Sequence, residues 1–364
     1  MADILGLKFY SKSDGTEKLV TAYGNDIGVF DGSSIFVGQG RNLSAVKMEF
    51  DVYLDYLIGT NRVNANQVYD GINWINGGMR ARMPIAKYVK TVGTTAYLAD
   101  LVYVSTNFRS RVWKSSLPKN NDIQWGFESG TNLAQTSGSK VITSANAGFI
   151  TYGIKTGDPF FITTGANAGE YVIDTIDADQ QITLTEAMKN TATGSTYWTG
   201  SNWFDARTND SDYIRGLGEN DDQLLVFKRE SLNRYDGTVL RKVKGVPGTT
   251  SHRSIINLRE STYYFHDTGI YKYSNGESIL ISRPIEDYVE AISSSNYDSV
   301  VSWIDGDLVY IFVGDLTDIQ KGIDIDNAVL IYNTAAQNWN IGALNNILRA
   351  GTIAIESEAR VVYL

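Results

Sequence analysis

Short runs of apolar residues alternate with polar turns along the chain, and the clearest example spans residues 223–237. An apolar run at 223–228 reads as one strand, a polar turn follows, and a second strand ends on Tyr235-Asp236-Gly237. An Asp-Gly pair supplies the positive φ that a tight turn needs, and a large aromatic side chain suits a half-buried sheet position. The pattern therefore predicts a β-hairpin.

The same strand ending recurs along the chain at an almost constant step. It appears as Phe30-Asp31-Gly32, Tyr69-Asp70-Gly71, Tyr273-Ser274-Asn275-Gly276 and Tyr332-Asn333-Thr334, and Trp113 takes the aromatic place in a third unit. Units of about 40 residues with four strands each predict a β-propeller of six to seven four-stranded blades in an all-β protein. A four-stranded sheet cannot bury both faces alone, but sheets packed radially can. A two-sheet sandwich is the alternative, and it does not account for the recurring step.

The period breaks after the third unit, whose fourth strand is predicted at 123–126. Residues 131–200 are rich in Thr, Gly, Ala and Ser and hold four short strand patterns. We interpret them as a small β-barrel inserted between the third and fourth repeats. The alternative is two degenerate repeats, although no strand there ends on an aromatic-Asp-Gly turn.

The resulting domain organisation has three parts. Residues 1–130 hold blades one to three, 131–200 the inserted barrel, and 201–364 blades four to six and the start of a seventh. A short helix is predicted at 285–292, and the first two strands of the seventh unit at 352–355 and 360–364.

Composition agrees with a sheet protein, because 22 Tyr, 13 Phe and 7 Trp lie in short runs and 34 Gly punctuate the chain. The net charge of −9 argues against tight nucleic-acid binding by a broad basic surface. An acidic passage is still compatible with DNA that slides through without sticking.

Other classes are excluded or disfavoured by residues that the chain lacks. Without cysteine there is no disulfide, thiolate nucleophile or cysteine-based zinc site. The sequence has no run of 18 apolar residues, and its first residues carry no leader pattern, so we expect a soluble protein without a classical export signal.

Candidate metal ligands are few and poorly grouped. His252 and His266 are the only histidines, and no third imidazole or thiolate can complete a centre with them. His266 ends a predicted strand next to a turn, so we expect it at the surface. We therefore predict no metal and no cofactor.

An acidic loop in the sixth repeat offers oxygen ligands for Ca²⁺, but it lacks the twelve-residue spacing with a terminal Glu. A solvated loop is the alternative that we favour. Its residues are Asp315, Asp318, Asp324, Asp326 and Asn327.

Tryptophans at blade ends could stack on sugars or form protein interfaces, and core packing between blades is the more common use of such residues. The candidates are Trp74, Trp125 and Trp339.

Catalysis is not predicted. Propeller glycosidases depend on carboxylates that converge at the central channel, whereas the aspartates of these repeats are required by turn geometry. We therefore predict a non-enzymatic protein without catalytic residues, whose notable side chains are structural. These repeat-turn residues are Phe30, Asp31, Gly32, Tyr69, Asp70, Gly71, Tyr235, Asp236, Gly237, Tyr273, Asn275 and Gly276.

Repeated strand–Tyr-Asp-Gly units at 224–237 and 269–276, combined with an inserted Thr/Gly-rich barrel, resemble propeller proteins of bacteriophage tails. The closest resemblance is to the hub, nozzle or stabilisation components of short-tailed phages. The insert at 153–162, 169–173 and 181–184 is similar to small barrels common in phage structural proteins. An incomplete last repeat is a departure from this pattern.

The resemblance implies a virion protein that assembles in the host cytoplasm as a homo-oligomeric ring, a hexamer, below the head-to-tail connector. Its partners would be connector or adaptor proteins, other tail proteins and tail fibres. The ring would help to retain the genome and conduct it during DNA ejection, with no tight DNA binding and no membrane. The alternatives are a glycan- or receptor-binding propeller at the virion periphery and, third, a glycoside hydrolase.

Overall fold

The computed structural model describes residues 4–30, 37–38, 40–75, 83–103, 106–115, 125–207, 210–344, 352–356 and 359–363. In this part of the chain the protein is all-β apart from one short α-helix and three 3₁₀ turns. The strands form separate small sheets arranged as a propeller and one closed barrel. The predicted fold class is therefore confirmed, and the two-sheet sandwich is excluded.

Six sheets of antiparallel strands form the blades, with the first strand of each innermost, and all but the third are built from consecutive strands. Blade one consists of β1 (Ile4–Ser11), β2 (Glu17–Tyr23), β3 (Asp26–Phe30) and β4 (Val37–Gly38). Blade two consists of β5 (Glu49–Tyr53), β6 (Tyr56–Thr60) and β7 (Gln67–Tyr69), and a single bridge from Tyr69 to Trp74 occupies the fourth-strand place.

The third blade begins with β8 (Ile85–Val92), β9 (Thr95–Tyr103) and β10 (Thr106–Lys114). The barrel follows, with β11 (Glu128–Gln135), β12 (Val141–Ser144), β13 (Pro159–Ile162), β14 (Gly169–Ala178), β15 (Gln181–Leu184) and β16 (Ala192–Thr199). These strands close in the order β11-β12-β15-β14-β13-β16. The alternative of two hidden repeats is therefore wrong.

The fourth strand of blade three is β17 (Trp203–Asp205), which pairs with β10. The expected fourth strand at 123–126 is wrong where it can be checked, because residues 125 and 126 are not in a strand and 123–124 lie outside the described residues. The barrel thus interrupts the third blade between its third and fourth strands instead of lying between two blades. The strand β10 has a free edge, and local sequence patterns do not show which later strand pairs with it.

The last three blades are regular four-stranded sheets. Blade four is β18 (Ile214–Asn220), β19 (Gln223–Lys228), β20 (Leu232–Tyr235) and β21 (Leu240–Lys242). Blade five is β22 (Ile256–Leu258), β23 (Ser261–His266), β24 (Gly269–Ser274) and β25 (Glu277–Leu280). Blade six is β26 (Val301–Asp305), β27 (Leu308–Asp318), β28 (Ile323–Asn333) and β29 (Asn338–Ala343).

A two-stranded sheet lies where a seventh blade would begin. It consists of β30 (Thr352–Glu356) and β31 (Ala359–Tyr363), close to the two strand patterns expected there. The strand β30 lies against β26 of blade six and β1 of blade one. The innermost strands therefore follow one another around the axis in the order β1, β5, β8, β18, β22, β26, β30.

The core is divided into clusters between neighbouring blades. Leu225 and Phe227 on β19, for example, pack against Tyr264 on β23, and all three are fully buried. Burying such a side chain contributes about 1.5–3 kcal/mol. Consecutive residues are buried along strands such as β19 and β23, because both faces of a blade meet a neighbour.

Tyrosine hydroxyls link successive blades. Tyr10, at the end of β1, donates a 2.5 Å hydrogen bond to the carbonyl of Asp55 in blade two. Tyr53, at the end of β5, donates a 3.0 Å hydrogen bond to the carbonyl of Thr94 in blade three. A tyrosine near the end of the innermost strand therefore links each of these two blades to the next one.

The predicted helix is shorter than expected. A 3₁₀ turn at Arg283–Ile285 leads into α1 (Glu286–Glu290), whose Val289 packs into the core between blades five and six.

Candidate functional site

The Tyr-Asp-Gly endings form compact turns between the third and fourth strands of their blades. Tyr235 donates a 2.6 Å hydrogen bond from its hydroxyl to the carbonyl of Gly237, and Asp236 Oδ1 accepts the N–H groups of Thr238 and Val239. Gly237 has φ +93°. The aspartate thus closes the turn while the tyrosine anchors it to the sheet.

Blade two repeats this turn. Tyr69 donates to the carbonyl of Gly71 across 2.8 Å, Asp70 Oδ1 accepts the N–H groups of Ile72 and Asn73, and Gly71 has φ +95°.

Blade five uses a different turn at the same position. Tyr273 precedes a two-residue turn in which Asn275 and Gly276 have φ +53° and +84°. Phe30 ends β3 as expected, whereas Asp31 and Gly32 lie outside the described residues.

The innermost strands surround a cavity of about 360 Å³ on the propeller axis. Its charged lining consists of Lys8 on β1, Glu49 and Asp51 on β5, Lys90 on β8 and Arg253 in the turn before β22. Because charged side chains converge in this cavity, it is a candidate catalytic or binding site.

Both carboxylates of the axial cavity are already engaged. Asp51 Oδ1 lies 2.9 Å from Lys8 Nζ, and its Oδ2 accepts the N–H of Thr91 at 2.7 Å. Burial alone would raise the pKa of Asp51, but Lys8, Lys90 and the hydrogen bonds hold it below its usual value. Glu49 Oε1 lies 3.1 Å from Arg253 Nε. Neither carboxylate is arranged as a general acid.

His252 closes one side of this cavity and is uncharged. Its Nδ1 accepts the N–H of Leu217 at 3.3 Å, its ring packs on Tyr88, and its Nε2 lies 3.9 Å from Glu49 Oε2. Burial lowers the pKa of His252 to about 4, and Glu49 offsets only part of that effect. A neutral imidazole with Nε2–H toward Glu49 fits this arrangement.

His266 is not at the surface, so that expectation is wrong. The residue ends β23 but is only 3% exposed, and its Nδ1 lies 2.8 Å from the Thr268 hydroxyl. Burial lowers the pKa of His266. The turn that follows folds back over the ring, a contact that strand and turn patterns do not reveal.

The acidic residues of blade six lie at the end of the long β27–β28 hairpin. Asp315 Oδ1 accepts the N–H of Asn327, and Asp318 Oδ1 accepts those of Gln320 and Lys321. Across the described part of the chain, no group of three or more His, Asp or Glu side chains is placed to hold a metal ion.

The three candidate tryptophans pack inside or against blades. Trp125 is 2% exposed, Trp74 is half-buried and packs on Tyr69, and Trp339 donates its indole N–H to the carbonyl of Ile281.

A groove of about 560 Å³ lies between the barrel and blade three. Its aromatic walls are Phe108 on β10, Phe161 on β13, Trp198 on β16 and Trp203 on β17. These residues are far apart in sequence, and only the barrel insertion brings them together. The sequence analysis did not identify this groove.

Arg111 forms the polar centre of the groove. Its guanidinium lies 3.5 Å from the centre of the Trp203 ring and 4.5 Å from that of Phe108, and it pairs with both oxygens of Asp205. Burial alone would lower the pKa of Arg111, but the bonds to Asp205 and Tyr103 raise it.

Comparisons with known proteins bear on the fold. No protein-family model matches the sequence, and no curated protein sequence matches it. Solved structures of similar fold belong to propeller-like proteins of mixed origin.

One similar structure is the endosialidase of phage phi92, with 11% identity and a TM-score of 0.25 over 88% of this chain and 52% of that one. AztD from Citrobacter koseri has 9% identity and a TM-score of 0.42 over 94% and 87%. Virginiamycin B lyase from Staphylococcus aureus has 14% identity and a TM-score of 0.38 over 85% and 91%. This chain therefore spans about half the length of the endosialidase, and the likeness concerns the fold alone.

Among the described residues there is also no helix with the length and apolar character that a membrane crossing requires.

Proposed function

We propose that this chain is a non-enzymatic structural subunit of a bacteriophage tail, in which a rigid propeller carries the barrel as a contact module. The observation that carries the non-enzymatic part is the axial cavity, because Glu49 and Asp51 are both held in ion pairs with Arg253 and Lys8. A glycosidase would keep one carboxyl protonated and one free to act. The repeated strand endings and inserted barrel supply the resemblance to tail propellers.

The barrel is attached to blade three through a shared aromatic core. Trp198 of the barrel and Phe127, just before β11, belong to the same buried cluster as Trp113 and Tyr103 of blade three. Trp113 also donates its indole N–H to the carbonyl of Trp125 in the connection to the barrel. A barrel fixed by a shared aromatic core is a rigid extension of the propeller.

Electron microscopy of the purified protein and of virions that contain it tests the tail role. We expect a ring of copies, sixfold, with a bore wide enough for duplex DNA, and the same ring below the head-to-tail connector. A protein that stays monomeric at high concentration and is absent from the particle contradicts the proposal. Turnover of a chromogenic glycoside that is lost in Asp51→Asn contradicts the non-enzymatic part.

The second candidate function is glycan binding, and the groove between the barrel and blade three favours it. Phe161 and Trp203 are partly exposed there, beside the Arg111 guanidinium and the carboxylate of Glu170. Aromatic faces with a few polar groups are a common way to bind sugar rings.

A glycan array followed by titration of any bound glycan tests this function. We expect Phe161→Ala and Trp203→Ala to weaken binding by on the order of tenfold, since each removes one apolar wall. Tyr310→Ala is the matched control, because Tyr310 is a partly exposed aromatic residue of blade six that stacks on Trp303 outside the groove. Equal loss in all three variants, or no bound glycan, argues against a glycan site in this groove.

A further inference from the structure

Four cationic side chains meet where blades two, three and four adjoin. Arg62 follows β6, Lys87 is on β8, Arg109 is on β10 and Arg215 is on β18. Arg62 and Arg109 contact the same carboxylate oxygen of Asp100, Arg109 and Arg215 lie on the same Tyr213 ring, and Lys87 is within electrostatic range of both. We call these four residues the cationic cluster.

One buried carboxylate lies beneath the cationic cluster. Asp100 is fully buried, with Oδ1 2.8 Å from Arg62 Nε and 3.8 Å from Arg109 Nε. Its Oδ2 has no hydrogen-bond partner among the described residues. Burial raises the pKa of Asp100, an effect that Arg62 and Lys87 partly offset.

The backbone at this point is bent to bring these groups together. Asp100 has φ +54° and Arg62 has φ +68°, conformations that are rare for side-chain-bearing residues. The pairing of β9 with β10 shifts between Phe108 and Val112, so three residues of β10, including Arg109, face Asp100. Bulges of this kind are frequent next to binding sites, where they redirect a side chain.

Aromatic rings hold the cations in place without neutralising them. The guanidinium carbons of Arg109 and Arg215 lie 3.6 and 4.1 Å from the centre of the Tyr213 ring. Lys87 Nζ lies 5.0 Å from the centre of the Tyr88 ring. Burial lowers the pKa of Lys87, and Asp100 and Glu49 counteract this only in part.

The charges in this region do not balance. Arg62 and Arg109 lie beside Asp100, Arg215 lies on the same Tyr213 ring as Arg109, and the neighbouring Glu49 is already paired with Arg253. The buried Nε of Arg215 has no hydrogen-bond partner within the described part of the chain. Arg62, Lys87 and Arg215 are half-buried and Arg109 is exposed. Cations in excess of carboxylates favour an external anion, and guanidinium groups bind planar or tetrahedral oxyanions with paired hydrogen bonds.

We propose that the cationic cluster is a binding site for a single oxyanion group, a carboxylate, sulfate or phosphate, on a small soluble ligand. The site is compact, with positions fixed by Asp100 and Tyr213, so it matches one anionic group. An extended polyanion such as DNA requires a line of cations, and the chain as a whole carries a net charge of −9. This inference does not rest on the tail role.

Isothermal titration of the full chain with glucuronate, inorganic sulfate and inorganic phosphate tests the proposal and shows which oxyanion is preferred. We expect at least one of them to bind at a single site. Arg109→Gln and Arg215→Gln should each weaken that binding about tenfold or more, because each loses charge-assisted hydrogen bonds. Lys242→Gln is the control, since Lys242 is an exposed cation on β21 of blade four.

Thermal unfolding of each variant shows whether it is folded before binding is compared. The proposal is overturned if none of the three anions binds, or if Lys242→Gln weakens binding as much as the cluster variants do. It is also overturned if duplex DNA binds more tightly than all three anions and that binding is lost in the same two variants.

Discussion

Arg253 reaches across the propeller axis to Glu49, with Nε 3.1 Å from Oε1, although the two residues are 204 positions apart. The same guanidinium also donates to the carbonyls of Leu5 and Met48. One side chain therefore joins the entrance of blade five to blades one and two. These contacts stabilise the closed ring.

Replacing Arg253 should destabilise the whole propeller. We expect Arg253→Met to lower the free energy of unfolding by about 3 kcal/mol, because Glu49, whose side chain is only 16% exposed, is left without its ion pair. Arg259→Met is the control. Arg259 pairs with Asp307 at the surface, so its loss should cost no more than about 1 kcal/mol. Urea unfolding of both variants checks this, and similar losses would contradict the role of Arg253.

The protein should lose stability as the pH falls from about 6.5 to 4. His252 is neutral in the folded state with a pKa of about 4, whereas an unfolded histidine takes a proton near 6.5. The unfolded state therefore binds more protons in this window, and the loss, on the order of 3 kcal/mol, is complete near pH 4. Unfolding measured at several pH values in wild type and His252→Gln isolates this contribution. Parallel pH profiles would count against it.

The glycine of the blade-four turn should be required for its backbone conformation alone. Gly237 has φ +93°, and an added Cβ would meet no atom within 4 Å. Gly237→Ala should therefore lower stability by about 1–2 kcal/mol through the backbone only. Thr238→Ala, at the exposed neighbouring position, should change stability by less than about 0.5 kcal/mol. Thermal unfolding distinguishes the two, and a neutral Gly237→Ala would contradict this reasoning.

Lys228 holds the connection between blades three and four. Its side chain is fully buried, and Nζ contacts Asp210 at 2.6 Å and the carbonyls of Arg207 and Asp212. We expect Lys228→Met to cost about 3 kcal/mol or more, since these oxygens lose their donor. Limited proteolysis should then cut near residue 210, whereas Lys242→Met, an exposed change in the same blade, should leave the digestion pattern unchanged. Unaltered digestion of Lys228→Met would rule out this role.

The repeated turns were predictable because they depend on neighbours in sequence. The positive φ of Gly71 and Gly237 and the carboxylate of Asp70 or Asp236 act within three or four residues. The unbroken apolar run along β19 likewise indicates a strand with two covered faces. These local rules, summed over repeats, are enough to predict a propeller with an inserted barrel.

The aromatic groove and the cationic cluster could not be predicted in the same way. Phe108, Phe161 and Trp203 meet only because the barrel folds back onto blade three, and Arg109 meets Asp100 only through the bulge between β9 and β10. The sequence predicts His266 as a surface residue next to a turn, but in the folded protein it is buried.

By itself, the sequence determined most of the strands and turns and an architecture of six or seven repeated units, since these follow from side-chain size and backbone preference over a few residues. Tertiary structure alone decided that Trp203 pairs with Trp113 across the barrel and that Arg253 meets Glu49 across the axis. Such contacts depend on closing the ring, where each sheet edge and each charge takes the partner that folding places next to it.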